Sequence, residues 1–189
     1  MRKVIAALNM TLDGFCDHTS GIADEEIHNH YTELLQSAGV ILYGRITYEL
    51  MQFWQPILKN PTGKKSMDDF ATAIDNIPKI VFSNTLTNAA SVTEEWATAR
   101  LAKKDLKEEV EELRQQSGKD ILVGSRSIIV TLLNLGLIGE FQICVQPIIA
   151  SKGLSLLENI NDRIDLKLLK TKTFSSSGSV LFYYKPVKK

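Results

Sequence analysis

Little in this chain announces a specialised class. It has only two cysteines, Cys16 in a polar loop and Cys144 in an apolar strand. That rules out a disulfide framework and makes a reducing cytoplasm the expected compartment. Charge of one sign is missing too: 22 basic residues balance 22 acidic ones. Neither nucleic acid nor an anionic membrane surface is therefore expected as a partner. No run approaches the ~18 apolar residues of a spanning helix. Met1-Arg2-Lys3 before Val4–Leu8 starts like a signal peptide, but the apolar run stops at Asn9 and Asp13 follows, so the segment reads as a strand.

Several catalytic signatures are also lacking. No Gly-x-Gly-x-x-Gly follows the first strand, and no Gly-x-Ser-x-Gly elbow occurs. Gly63-Lys64-Lys65-Ser66 imitates the end of a P-loop, yet Leu58 and Lys65 stand where Gly and Ser/Thr are needed. The three histidines, His18, His28 and His30, show no zinc spacing, and no metal is expected.

What is present fits one domain over residues 1–189. Short β-branched runs occur at Val4–Leu8, Val40–Tyr43, Ile80–Phe82 and Ile121–Val123. Such continuous apolarity suits strands covered on both faces. Helical patterns lie between them, over 24–38, over 99–116 and from about Ser127. Residues 59–66, rich in breakers, read as a surface loop. Strands are expected at 140–149, 163–173 and 178–184, the last two joined by Ser175-Ser176-Ser177-Gly178. The fold class is thus α/β: a mixed, mostly parallel sheet finished by an antiparallel hairpin.

In open α/β sheets ligands bind beyond the carboxyl ends of the strands. The second run ends at Gly44-Arg45-Ile46-Thr47, the third at Ser83-Asn84-Thr85, the fourth at Gly124-Ser125-Arg126-Ser127. Glycine lets a ligand approach the backbone, a helix start offers free N–H groups to phosphate, and arginine adds a charged donor. Two such ends suit a molecule with more than one phosphate, such as a dinucleotide. Ordinary capped turns would look much the same. Asp13, beside Gly14 after the first strand, is either a turn former or a carboxylate overhanging the site.

These residues resemble the dihydrofolate reductase superfamily, and within it stand-alone relatives of the reductase domain of bifunctional riboflavin biosynthesis enzymes. Ile5-Ala6-Ala7-Leu8, Leu12-Asp13-Gly14, Val40 through Glu49, and Ile121 through Ser125 followed by Leu135 through Glu140 and Pro147 carry the likeness. The resemblance implies an eight-stranded, three-layer dihydrofolate-reductase-like fold with helices on both faces. It implies an NADPH-dependent reductase of a pterin- or pyrimidine-type heterocycle, similar to 5-amino-6-(5-phosphoribosylamino)uracil reductase. The alternative is a non-catalytic nucleotide-binding module that kept the fold. By position, Ala7 and Gly14 would flank the nicotinamide, and Gly44, Arg45 and Thr47 would hold phosphate. Ser83 and Asn84 would line the adenosine side. Gly124, Ser125, Arg126, Ser127 and Ile128 would cradle the pyrophosphate. Leu50, Met51 and Phe53 would contact the substrate ring.

Two departures shape the expectations. The carboxylate that dihydrofolate reductases place before the second strand falls near His28–Asn29, and residues 24–38 contain no Arg or Lys for a ribose phosphate. Asp13 is then the expected catalytic proton donor, and its loss should lower turnover by ~10²-fold. Arg45 and Arg126 together should favour NADPH over NADH by about tenfold or more. Apolar residues on both faces of Phe141–Ile149 and Val180–Tyr184, with the two-fold dimer of the family, point to a homodimer.

Overall fold

Alternation along the strands sorts the apolar residues into two cores. In the computed structural model, which describes residues 1–19, 21–22, 24–86, 92 and 94–187, β1 (Val4–Thr11) turns Val4 and Ala6 to one face and Ile5 and Ala7 to the other. β2 (Val40–Gly44), β3 (Lys79–Phe82) and β5 (Ile121–Val123) split the same way. The first face packs under α5 (Leu106–Gln115) and α6 (Arg126–Asn134); the second packs under α1 (Glu25–Ser37) and α4 (Lys65–Asn76). Burial on both faces is why these strands read as unbroken apolar runs.

The remaining strands are β4 (Ala99–Leu101), β6 (Glu140–Gln146), β7 (Leu166–Thr173) and β8 (Val180–Pro186). All eight form one sheet in the order β4-β3-β2-β5-β1-β6-β8-β7. β1 to β6 run parallel, and β8 lies antiparallel between β6 and β7. The expected three-layer mixed sheet with its C-terminal hairpin is observed. Among the described residues no helix is long and apolar enough to cross a membrane.

Boundaries differ where tertiary pairing overrides local pattern. β1 continues to Thr11 because it pairs with β6 over that length. β6 stops at Gln146, short of Ile149. The stretch from 99 begins as strand β4 rather than helix, because Ala99 to Leu101 pair with β3. The segment after β2 holds α2 (Arg45–Met51), a 3-10 turn (Gln52–Trp54) and α3 (Gln55–Lys59), and α4 starts inside the expected loop. β6 and β8 are interior strands, which explains their two apolar faces without a partner chain. The exposed edge is β7, exposed along its whole length.

Local signals set the helix that matters most for the site. Asp24 caps α1, its carboxylate accepting from the Ile27 N–H at 2.7 Å, with Glu25 and Glu26 in the first turn. This favours the positive end of the helix dipole. Ile27, Leu34 and Leu35 then turn inward.

Candidate functional site

The carboxyl ends of β1, β2, β3 and β5 converge on one edge, and two hollows meet there. The first is a groove of about 270 Å³. Gly44, Arg45 and Thr47 form one side, Ser83 and Asn84 the other, and Ser127 closes it. The β2 and β5 turns are stapled together: the Gly44 N–H donates to Ser125 Oγ at 2.9 Å. Ser125 is buried in this staple, and the start of α6 has no side-chain cap. Its free N–H groups are the kind that bind phosphate oxygens. At Gly44 a Cβ would sit 3.4 Å from Ser127 Oγ, inside the groove. Arg45 pairs with Glu49 at 2.9 Å, both side chains well exposed. Such a pair is worth only ~0–1 kcal/mol, so an arriving phosphate can displace it. A phosphate-bearing nucleotide fits this set of donors.

The second hollow is a cavity of about 160 Å³ on the α1–α4 face. Its floor is Ala7, Asn9, Ile41, Tyr43 and Leu122 of the sheet. Its walls are Tyr31 and Leu35 of α1, Met51 of α2, and Phe70 and Ile74 of α4. Thr47 lines both cavity and groove. The polar atoms on the walls are few. Tyr31 Oη donates to Asn9 Oδ1 at 2.8 Å, and burial drives the Tyr31 phenol well above its usual pKa, so it stays neutral. Outside the lining, His28 packs edge-on to Trp54, with ring centroids 5.6 Å apart, and burial lowers its pKa.

A larger open cleft of about 890 Å³ lies at the opposite edge, lined in part by Arg114, Lys167 and Lys185. It holds none of the expected site residues. Among the described residues no cluster of three or more His, Cys, Asp or Glu side chains could hold a metal.

The expected residues sort clearly against this geometry. Gly44, Arg45, Thr47, Ser83, Asn84 and Ser127 share the groove; Ala7, Met51 and Gly124 line the cavity. Others are placed elsewhere. Arg126 leads away from the groove: its Nε donates to the Ser155 carbonyl at 2.8 Å and its Nη2 meets Glu158 at 3.2 Å. Ile128 is buried in the core beside Ile129 and Leu132. Leu50 does not line the cavity, and Phe53 is exposed, packed edge-on to Trp54. Gly14 adopts φ +93°, donates to the Thr11 carbonyl and accepts from the Leu156 N–H. It shapes the loop and lines neither hollow.

Asp13 departs most from the expected geometry. Its carboxylate accepts from Thr11 Oγ1 at 2.7 Å, Ala150 N–H at 3.1 Å and Ser151 N–H at 2.7 Å. The Thr11 bond, then the backbone bonds, hold its pKa below the ordinary carboxylate value. A carboxylate so held is a clamp between the loops after β1 and β6, and a poor proton donor.

Sequence reasoning missed Asn9 and Tyr31. Asn9 was detectable, since it is the polar member of the Ile5, Ala7, Asn9 alternation on a buried face. Tyr31 sits in the apolar stripe of α1 and looked like core.

A mixed sheet of this order, with a phosphate-type groove and an apolar cavity at its carboxyl edge, defines a dihydrofolate-reductase-like protein. More narrowly, the family described as the RibD C-terminal domain matches residues 2–179, and the chain belongs to it. It is 32% identical over 187 residues to the uncharacterized protein YyaP of Bacillus subtilis (strain 168), covering 97% of this chain and 95% of that one. It also resembles the structure of a "Putative riboflavin biosynthesis protein" from Shewanella sp. PV-4, with TM-score 0.72, 18% identity and 100% of both chains covered. The diaminohydroxyphosphoribosylaminopyrimidine deaminase/5-amino-6-(5-phosphoribosylamino)uracil reductase of Thermotoga maritima matches with TM-score 0.63 and 16% identity. That match covers 98% of this chain and 57% of the Thermotoga chain. At these identities the solved structures speak for the fold.

Proposed function

We propose that the protein is an NADPH-dependent reductase of a pterin- or pyrimidine-type heterocycle, similar in reaction to 5-amino-6-(5-phosphoribosylamino)uracil reductase. The carrying observation is Thr47, which lines both hollows and so joins a phosphate-type groove to a ring-sized cavity. Gly44, Arg45, Ser83, Asn84 and Ser127 would hold the cofactor, with Ala7 and Gly124 beside the ring. Bound there, NADPH supplies a hydride to the acceptor ring. The chain's own work is positioning and the exclusion of water. Among the described residues no carboxylic acid lines the cavity, so the balancing proton would come from solvent.

The test is NADPH oxidation with a panel of oxidised heterocycles, alongside calorimetric titration of NADPH. Turnover with a ring and micromolar-range NADPH binding are expected; no NADPH binding overturns the reading. Since Arg126 is engaged elsewhere, Arg45 is the arginine of the groove left to meet a 2′-phosphate, and the preference over NADH should be three- to tenfold. The absence of a carboxylate from the cavity favours a second reading, a nucleotide-binding module without catalysis. NADPH binding with no oxidation by any ring would select it.

A homodimer and a cytoplasmic location complete the proposal. Support for the dimer moves to the exposed β7 edge, where Leu166, Leu168 and Leu169 lie open. Light scattering should give twice the monomer mass of 21.1 kDa, and the monomer mass itself would overturn it.

A further inference from the structure

We infer that the cavity admits an uncharged ring without a phosphate, and that Asn9 and Tyr31 read its polar edge. The inference rests on the reductase reading only for calling this molecule a substrate.

Charge comes first. None of the side chains lining the cavity carries one. Helix α1, which forms a wall, contains no Arg or Lys. His28 of the same helix, outside the lining, is held toward its neutral form by burial. A phosphate dianion in such surroundings would lose its hydration and gain no partner, a cost of many kcal/mol. Size points the same way. Drug-sized ligands occupy ~300–1,000 Å³. The cavity's 160 Å³ suits a small ring system, and a sugar phosphate on that ring would have to project past the rim, where α1 offers no Arg or Lys.

The polar pair then sets the edge chemistry. Tyr31 spends its one hydrogen on Asn9 Oδ1, which leaves its oxygen lone pairs free to accept. The Asn9 amide nitrogen makes no hydrogen bond to the described residues, which leaves its hydrogens free to donate. A donor beside an acceptor on one wall is complementary to an N–H beside a C=O. That is the amide-type edge of a neutral oxo-pyrimidine or oxo-pterin. With the remaining lining apolar apart from the Thr47 and Tyr43 hydroxyls, a ring lacking this edge would leave both groups unpaired, and buried unpaired groups give strong discrimination.

Calorimetric titration of the intact protein, with and without NADP⁺, tests this without turnover. The probes are 5,6-diaminouracil, an oxo-pterin, and 5-amino-6-(5-phosphoribosylamino)uracil. At least one neutral ring should bind tenfold or more tightly than the phosphate-bearing compound. Asn9→Leu should weaken that binding by ~10-fold, and Tyr31→Phe should weaken it less, with NADPH affinity unchanged within about twofold. Equal or tighter binding of the phosphoribosyl compound overturns the inference, as does failure of both neutral rings to bind. NADPH titrated alone keeps the two proposals apart: if it binds while the ring order fails, only the inference falls. If it does not bind, the reductase reading falls and the ring order still decides the inference.

Discussion

The groove and the cavity share Thr47 but are built on opposite plans. The groove is made of three turns: 44–47, 82–85 and, through Ser127, the turn after β5. Its donors are backbone N–H groups, hydroxyls and one exposed arginine, all near solvent. The cavity takes one to three residues from each of six elements, and its lining carries no charge. Phosphate needs many fixed donors and tolerates water, which turns provide. A ring needs a dry, shaped wall, which only packed helices over a sheet can give. The difference teaches that the two hollows, built from largely separate parts of the chain, can change independently on this fold.

The largest expected effect acts on α1, which carries Tyr31 and Leu35 to the cavity and nothing to the groove. His30 lies on the other side of α1, against Phe174 and Tyr183. Burial, and then the Lys172 and Lys170 charges, lower its pKa from 6.5 to about 4; the Gln142 amide beside it works weakly the other way. The unfolded chain therefore takes up the proton first as pH falls. Stability is full above pH 6.5 and declines between 6.5 and 4, by about 3 kcal/mol in all. Thermal melts across that window should show the decline, and His30→Gln should flatten it. Parallel profiles for the two proteins would remove His30 from this role.

Next in size, Gly44→Asp places a carboxylate beside Ser127 in the groove. Repulsion of the phosphates should cost ~10²-fold in NADPH affinity, while ring binding in the cavity is kept. Both are read by calorimetry, and loss of both together would show that the hollows are not separable. Met51→Trp is the converse. Filling the cavity should weaken ring binding by ~10-fold, with NADPH affinity within about twofold. The smallest effect is Asp13→Asn. The amide keeps one accepting oxygen and turns an NH2 toward a backbone N–H, so it loosens the clamp to Ala150 and Ser151, but turnover should change by less than ~3-fold. A fall of ~10²-fold would restore the acid role that its hydrogen bonds argue against.

The sequence legibly marked the groove because turns are local. Gly44-Arg45, Ser83-Asn84 and Gly124 to Ser127 show their chemistry within four residues of chain. It could not show that Arg126 and Asp13, both in the right loops, are claimed by distant partners, Ser155 and Glu158 in one case and Ala150 and Ser151 in the other. It missed Asn9 and Tyr31 because a cavity lined by core-like residues has the same local pattern as a filled core.

By itself, then, the sequence determined the alternation of strand and helix, the apolar runs of a doubly covered sheet and the three turns at its carboxyl edge. All of these arise from short-range periodicity and turn chemistry. Only the tertiary structure decided which arginine faces the groove, that Asp13 is a clamp, and that an unfilled space remains between α1, α4 and the sheet. Those outcomes depend on hydrogen bonds and packing between residues far apart in the chain, and no local pattern records them.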